Sequence, residues 1–148
     1  MEAVTRTGRV LGVDLGARRI GVAVSDRSRT LASPHTVLAR GPERAADHRA
    51  LAAVARELDA STVVVGLPLS LSGREGPAAR AVREEVDELR TALGPAFDVV
   101  VHDERFTTVV AERSLIEARM RREARRRVVD KVAAAVMLQS WLDGAATR

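Results

Sequence analysis

The stretch VLGVDLGARRIGVAVSD, residues 10–26, contains two short apolar runs joined by a glycine-containing link. Apolar runs of this length on either side of such a link predict a β-hairpin, with strands over residues 9–15 and 19–25. Asp14 lies inside the first run, between two apolar residues. A carboxylate in a strand that packs into a core is costly unless it has a partner. The hairpin therefore raises the question of what Asp14 binds.

The rest of the chain alternates between strand-like and helix-like segments. Continuous apolar runs bounded by turn signals predict strands, and apolar residues spaced by three or four predict helices. The predicted elements after the hairpin are a strand at 30–38, a helix at 45–59, a strand at 61–70, a helix at 77–93, a strand at 98–106, and helices at 107–120 and 128–143. In the first of these helices, the spacing by four predicts that Ala46, Ala50, Val54 and Leu58 share one apolar face.

The order of these elements, βββαβαβα with an extra C-terminal helix, indicates an α/β protein with a mixed five-stranded sheet. Right-handed crossovers between parallel strands place helices on both faces of such a sheet. This is the order expected of a ribonuclease H-like fold, and a length of 148 residues suits a single domain. We expect residues 1–148 to form that domain, with residues 1–8 flexible.

The composition excludes several classes of protein. No cysteine is present, which rules out disulfides, a thiolate nucleophile and a cysteine-ligated zinc site. The first ten residues lack the apolar core of a signal peptide, and no apolar run approaches the length of a membrane span. We therefore expect a cytoplasmic location and no contact with membranes.

Positive charge is concentrated towards the C-terminus. The formal net charge is +4, and residues 119–131, RMRREARRRVVDK, contain seven basic and two acidic residues. A local positive field of this kind is typical of a surface that binds nucleic acid, and it is equally compatible with a solvated helix face. We expect the Arg-rich segment, residues 119–128, to be mobile.

Acidic residues stand at the ends of three predicted elements. Asp14 lies near the end of the first strand, Asp103 and Glu104 lie at the end of the fifth, and Asp130 opens the last helix. The residues four, seven and eleven positions after Asp130 are apolar, so this helix face should pack on the sheet. Carboxylates that converge at one sheet edge need a cation, and oxygen ligands suit Mg²⁺ or Mn²⁺. Two such ions about 4 Å apart support in-line displacement at a phosphodiester.

Each acid also has a structural interpretation. Asp130 could cap the N-terminus of the last helix, and Asp14 could stabilise a turn with the glycine that follows. Asp103 and Glu104 could end a strand and pair with Arg105. The hairpin also resembles the first phosphate loop of actin-like and sugar-kinase ATPases, but those proteins contain two copies of the fold, and this chain has no second Asp-x-Gly hairpin. The three histidines show no metal-ligand spacing, which favours surface or packing roles.

Four motifs resemble those of one known family. They are GVDLGARRIGVAVSD at 12–26, VVGLPLSLSGREG at 64–76, HDERFTT at 102–108 and VDKVAAAVMLQSWL at 129–142. In this order and spacing they are similar to the YqgF/RuvX family of ribonuclease H-like proteins, over residues 9–143. By this resemblance Asp14, Glu104 and Asp130 are the catalytic, metal-binding acids. The basic residue after the glycine turn, commonly lysine in the family, is Arg18 here.

The resemblance implies a nuclease that uses Mg²⁺ or Mn²⁺, bound as two ions, to process the 5′ end of pre-16S rRNA in ribosome biogenesis. Ribosomal particles are then expected partners, and the protein is expected to be a monomer or a homodimer. A Holliday junction resolvase acting on branched DNA, and a nucleic-acid-binding assembly factor that barely cuts, are the alternatives. Gly12, on the strand face of Asp14, should leave room for a substrate backbone. The arginines expected to hold substrate phosphates are Arg18, Arg74, Arg105, Arg125, Arg126 and Arg127.

Overall fold

The structure of the protein, a computed structural model, describes residues 8–68, 74–103 and 122–146, with 122–129 described as backbone only. The strands are β1 (Arg9–Leu15), β2 (Arg19–Ser25), β3 (Ala32–Ala39), β4 (Ala60–Leu67) and β5 (Asp98–Asp103), and the helices are α1 (Arg44–Glu57), α2 (Pro77–Leu93) and α3 (Arg122–Ala146). β1, β2 and α2 have the bounds that the sequence predicts. The predicted helix at 107–120 lies outside the described residues.

The five described strands form a mixed sheet in the order β3-β2-β1-β4-β5. β2 pairs antiparallel with both β1 and β3, whereas β4 pairs parallel with both β1 and β5. The carboxyl ends of β1, β4 and β5 consequently lie at the same edge of the sheet. The α/β class and the mixed five-stranded sheet are confirmed.

Helices cover both faces of the sheet, as predicted. α1 and α2 cover one face, where Leu11 of β1 belongs to the same apolar cluster as Leu51 of α1 and Leu89 of α2. α3 covers the other face, where Val10 of β1 packs in a second cluster with Leu138. Neighbouring residues of one strand thus enter different cores, because side chains alternate along a strand. We refer to the α1/α2 face and the α3 face of the sheet.

The apolar face predicted for α1 is only partly buried. Ala46 and Ala50 are exposed, whereas Val54 and Leu58 are partly buried and pack against the core. The buried residues of this helix are Asp47, His48, Leu51, Ala52 and Ala55. The two alanines carry little apolar surface, so the buried side of α1 is centred away from them. As a result, α1 brings two polar side chains into the interior that the apolar spacing did not indicate.

α3 begins earlier than predicted, at Arg122 rather than at residue 128. Asp130 therefore lies more than two turns inside the helix. Both the expectation that Asp130 opens the helix and its interpretation as an N-cap are wrong, since an N-cap flanks the first turn. The Arg-rich segment extends the helix because arginine, glutamate and alanine are good helix formers. Residues 119–121 lie outside the described residues, so the mobility of 119–128 stays a prediction.

The N-terminal residues 1–7, for which flexibility is predicted, also lie outside the described residues. Although α3 is long, neither it nor another helix in the described ranges has an apolar stretch sufficient to cross a membrane.

Candidate active site

Asp14 lies near the carboxyl end of β1 and is half-buried. Side chains alternate along a strand, so Asp14 shares the α3 face with Val10, which packs against α3. The residue directly opposite Asp14 on β2 is Gly21. Opposite residues of an antiparallel pair lie about 5 Å apart and point to the same face. Asp14 therefore lies beside a strand position that has no side chain.

Gly21 and Gly12 allow α3 to approach the sheet closely. A β-carbon at Gly21 would lie 2.1 Å from the backbone oxygen of Asp130, and one at Gly12 would lie 2.7 Å from the β-carbon of Leu138. Neither distance is possible for atoms that are not bonded, so both positions require glycine. Asp130 consequently lies over Gly21, next to Asp14. The prediction that Gly12 leaves room for substrate is wrong, because α3 fills that space.

The carboxylate of Asp130 pairs with Arg19, the first residue of β2. Arg19 Nε donates to Asp130 Oδ2 at 2.7 Å. The pair is partly exposed, by 28% for Arg19 and 23% for Asp130, and it is the one ion pair of Asp130 among the described residues. Sequence reasoning missed it because the two residues are 111 positions apart. The family resemblance pointed instead to Arg18 as the basic residue of the hairpin, and Arg18 is exposed in the β1–β2 turn.

The third predicted acid, Glu104, lies outside the described residues. The residue before it, Asp103, ends β5 and is exposed. Within the described residues no group of three or more histidine, aspartate or glutamate side chains could hold a metal ion. Asp14 and Asp130 bring two carboxylates to one face, which fits the oxygen chemistry of a hard divalent cation. A complete ligand set needs at least one further group.

The predicted phosphate-binding arginines have different positions. Arg18 follows the strand of Asp14, and Arg74 is exposed just before α2. Residues 125–127 precede Asp130 in the same helix, and only their backbone is described. Arg105 lies outside the described residues. Arg18 thus lies on a chain segment adjacent to Asp14, and residues 125–127 lie on one adjacent to Asp130.

On the α1/α2 face, four polar side chains form a buried network. The carboxylate of Glu85 accepts hydrogen bonds from Arg40 Nη1 at 2.6 Å, Arg40 Nη2 at 2.9 Å and His48 Nε2 at 2.9 Å. Asp47 lies 3.5 Å from Arg40 and accepts from the backbone amide of Gly41. Glu85 is 4% exposed and His48 2%. Burial alone would raise the pKa of Glu85, but the hydrogen bonds from Arg40 and His48 outweigh burial and lower that pKa.

Comparison with known sequences identifies a family. The sequence model of the RuvX family, described as Holliday junction resolvase, matches residues 8–144. A protein of Roseiflexus sp. (strain RS-1) is 47% identical over 137 residues, which are 92% of this chain and 94% of that protein. A protein of Myxococcus xanthus (strain DK1622) is 47% identical over 135 residues, which are 91% of this chain and 87% of that protein. Both carry the name "Putative pre-16S rRNA nuclease".

A solved structure supports the fold. The RuvC protein of T. thermophilus, in complex with a Holliday junction substrate, matches this chain with a TM-score of 0.58, over 95% of this chain and 96% of that one. The two sequences are 16% identical, so this likeness concerns the fold alone. The family match and the relatives at 47% identity agree with the four sequence motifs. This chain therefore belongs to the RuvX (YqgF) family of ribonuclease H-like nucleases.

Proposed function

We propose that this protein is a metal-dependent nuclease that processes the 5′ end of pre-16S rRNA. The observation that carries the proposal is that Asp14 of β1 lies directly opposite Gly21, the residue over which α3 places Asp130. Neighbouring carboxylates repel each other, and a cation between them removes that repulsion. In a nuclease family, two carboxylates brought together from distant parts of the chain are best explained as ligands of a divalent ion.

The residues have separate roles in this proposal. Asp14 and Asp130 would hold Mg²⁺ or Mn²⁺ together with Glu104, since these ions prefer carboxylate oxygens. When bound, the cation supplies charge stabilisation to the phosphodiester oxygens. Arg18 would bind a substrate phosphate beside the hairpin, and residues 125–127 would bind phosphates beside Asp130. Such contacts position the nucleic acid without reading its sequence.

The choice of RNA as substrate is supported by the two relatives, whose shared name specifies pre-16S rRNA. Arg74 and Arg105 would then contact the RNA backbone as well, and ribosomal particles would supply the substrate. Branched DNA is a second candidate, favoured by the description of the family model. Symmetric cutting of a four-way junction needs two active sites and hence a homodimer, whereas trimming of one RNA end needs a single site.

Cleavage assays with two substrates test the proposal. Purified protein is incubated with a 16S rRNA fragment that carries a 5′ extension, or with a four-way DNA junction, in Mn²⁺ or in chelator. We expect cleavage of the RNA in Mn²⁺, no cleavage in chelator, and recovery when Mn²⁺ is restored. In cells depleted of the protein, 16S rRNA should accumulate with extended 5′ ends.

Each contrary outcome has its own meaning. Undiminished cutting in excess chelator would contradict the metal-dependent mechanism. Preferential cutting of the junction by a dimer would replace RNA with branched DNA as the substrate. Tight binding of RNA without cutting would indicate an assembly factor instead of a nuclease.

A further inference from the structure

The β1–β2 turn, residues 16–18, connects the strand of Asp14 to the strand of Arg19. Within the turn, the amide of Gly16 donates to the carbonyl oxygens of Arg19 at 3.0 Å and Asp14 at 3.2 Å. One side of the turn borders an open cavity of about 420 Å³, whose lining includes Gly16, Ala17 and Pro68. Because no side chain of the described residues packs against the turn on the cavity side, its conformation depends largely on hydrogen bonds.

Arg40, the residue after β3, contacts this turn at two points. Its backbone amide donates to the carbonyl oxygen of Arg18 at 2.9 Å. Its side-chain Nε donates to the carbonyl oxygen of Gly16 at 2.8 Å. The two acceptors lie at the two ends of the turn, so a single residue spans it.

The direction of the Arg40 side chain is set by the buried network. Glu85 accepts from both Nη atoms, and a bidentate pair fixes the plane of a guanidinium. With that plane fixed, the Nε–H bond can point only one way, and it points at Gly16. His48 holds the same carboxylate, and a carboxylate only accepts, so Nε2 of His48 carries the proton. Lysine could not replace this arrangement, because its single ammonium cannot serve Glu85 at two points and Gly16 together.

We propose that Arg40 is a positioning residue of the active site: held by Glu85, it clamps the β1–β2 turn and so sets Asp14 and Arg19 relative to Asp130. Arg40 acts through the turn, from the α1/α2 side, while the acids lie on the α3 face. The inference rests on the proposed function for the role of Asp14. The clamp itself is a property of the fold and can be tested without any activity.

Residue-resolved hydrogen exchange tests the clamp. Arg40→Lys keeps a positive charge beside Glu85 but removes the fork and the contact to Gly16. Exchange of the Gly16 amide should become about tenfold faster or more relative to that of Val22 in the centre of β2, as expected when a charge-assisted hydrogen bond is lost.

The matched control is Arg44→Lys. Arg44 pairs with Glu88 of α2 at 2.7 Å, and both side chains are exposed. This variant alters an arginine–glutamate pair between α1 and α2 without touching Arg40. It should leave the exchange at Gly16 unchanged.

The cleavage assay links the clamp to the active site. Arg40→Lys should lower kcat about tenfold, as expected for small displacements of a catalytic group, whereas Arg44→Lys should cut at the wild-type rate. If Arg40→Lys does not fold, Glu85→Gln gives the same test, since it keeps the shape of Glu85 and removes the charge that orients Arg40.

Several results would overturn the proposal. Unchanged exchange at Gly16 would do so, and so would equal acceleration at Gly16 and Val22, which would indicate only a loss of global stability. Fast exchange at Gly16 with an unchanged kcat would show a clamp that does not serve the active site. A wild-type protein without nuclease activity would remove the proposed function, while the exchange data would still decide whether Arg40 clamps the turn.

Discussion

The two faces of the sheet each carry an arginine–carboxylate pair, and the two pairs are built differently. On the α1/α2 face, Glu85 uses both oxygens for Arg40, accepts a further bond from His48 and is almost fully buried. On the α3 face, Asp130 pairs with Arg19 through one oxygen and is 23% exposed. Burying an ion costs several kcal/mol and is offset only when its hydrogen-bonding capacity is filled. The comparison therefore separates a structural carboxylate from one that can exchange its partner for another cation.

The largest expected effect concerns Asp14, the neighbour of Asp130. Asp14→Asn removes one charge with little change of shape, so cleavage in Mn²⁺ should fall about 10³-fold, or ~4 kcal/mol of transition-state stabilisation. The melting temperature in chelator should stay equal or rise slightly, because repulsion between the carboxylates is reduced. Initial rates and thermal melts measure the two quantities, with Asp87→Asn on the exposed side of α2 as control. A variant that melts several degrees lower but cuts normally would place Asp14 with Glu85 as a structural group.

Truncation of the two paired carboxylates should cost different amounts of stability. Glu85→Ala leaves Arg40 without its bidentate partner, and breaking a buried pair in this way costs about 3–5 kcal/mol. Asp130→Ala breaks a partly exposed pair, which is worth about 1 kcal/mol or less. Urea unfolding in chelator measures both free energies. Equal losses would contradict the contrast between the two faces.

Acid should destabilise the protein through Glu85. The contacts with Arg40 and His48 hold the pKa of Glu85 in the folded protein below the ordinary value of 4.5. At a pH between the folded-state and unfolded-state pKa, the unfolded state binds more protons than the folded state, so stability rises with pH. The contribution of Glu85 is complete above about pH 5 and is lost as the pH falls through its folded pKa. Glu85→Gln should therefore flatten the acid limb of the free energy of unfolding, with Glu88→Gln as the exposed control. Parallel acid limbs in the wild type and Glu85→Gln would refute this assignment.

Nucleic-acid binding should depend on α3 rather than on α1 and α2. Changing Arg125, Arg126 and Arg127 together to alanine should weaken binding to single-stranded RNA. The slope of log K against log salt should become shallower by about 0.7 for each lost phosphate contact. A matched triple variant removes the same charge from exposed positions of α1 and α2, namely Arg49, Arg56 and Arg80. If both variants show the same slope, the Arg-rich segment is a solvated helix face and does not contact phosphates.

The smallest expected effect tests whether Arg19 competes with the metal ion. Arg19→Ser removes the cation that pairs with Asp130, so the Kd for Mn²⁺ should fall about threefold, as expected for a partly exposed ion pair. Calorimetric titration measures this affinity. Arg27→Ser, which removes an exposed pair with Asp59, is the control and should leave the Kd unchanged. Weaker Mn²⁺ binding in Arg19→Ser would mean that Arg19 orients Asp130 for the ion instead of competing with it.

Local signals predicted most of the elements, and the errors occurred where those signals were ambiguous. Apolar runs and turn residues determined β1 and β2, and Pro77 with Gly94 marked the ends of α2. In α1 the apolar spacing included Ala46 and Ala50, which are exposed, because alanine is common on both sides of a helix. The sequence analysis places the Arg-rich segment between two helices, although arginine favours helix, so the predicted start of α3 is too late.

The sequence alone determined the order of strands and helices, the family, and the positions of Asp14 and Asp130 along the chain, because periodicity and motifs are local properties. Only the tertiary structure decided which charged groups meet. Arg19 and Asp130 are 111 residues apart, and Arg40 and Glu85 are 45 residues apart. The Arg19–Asp130 pair forms because Gly21 of β2 lets the backbone of α3 approach the sheet, and the Arg40–Glu85 pair forms because α2 packs on the opposite face. A side chain reaches only a few ångströms, so such contacts exist only after the whole chain has folded, and no local pattern encodes them.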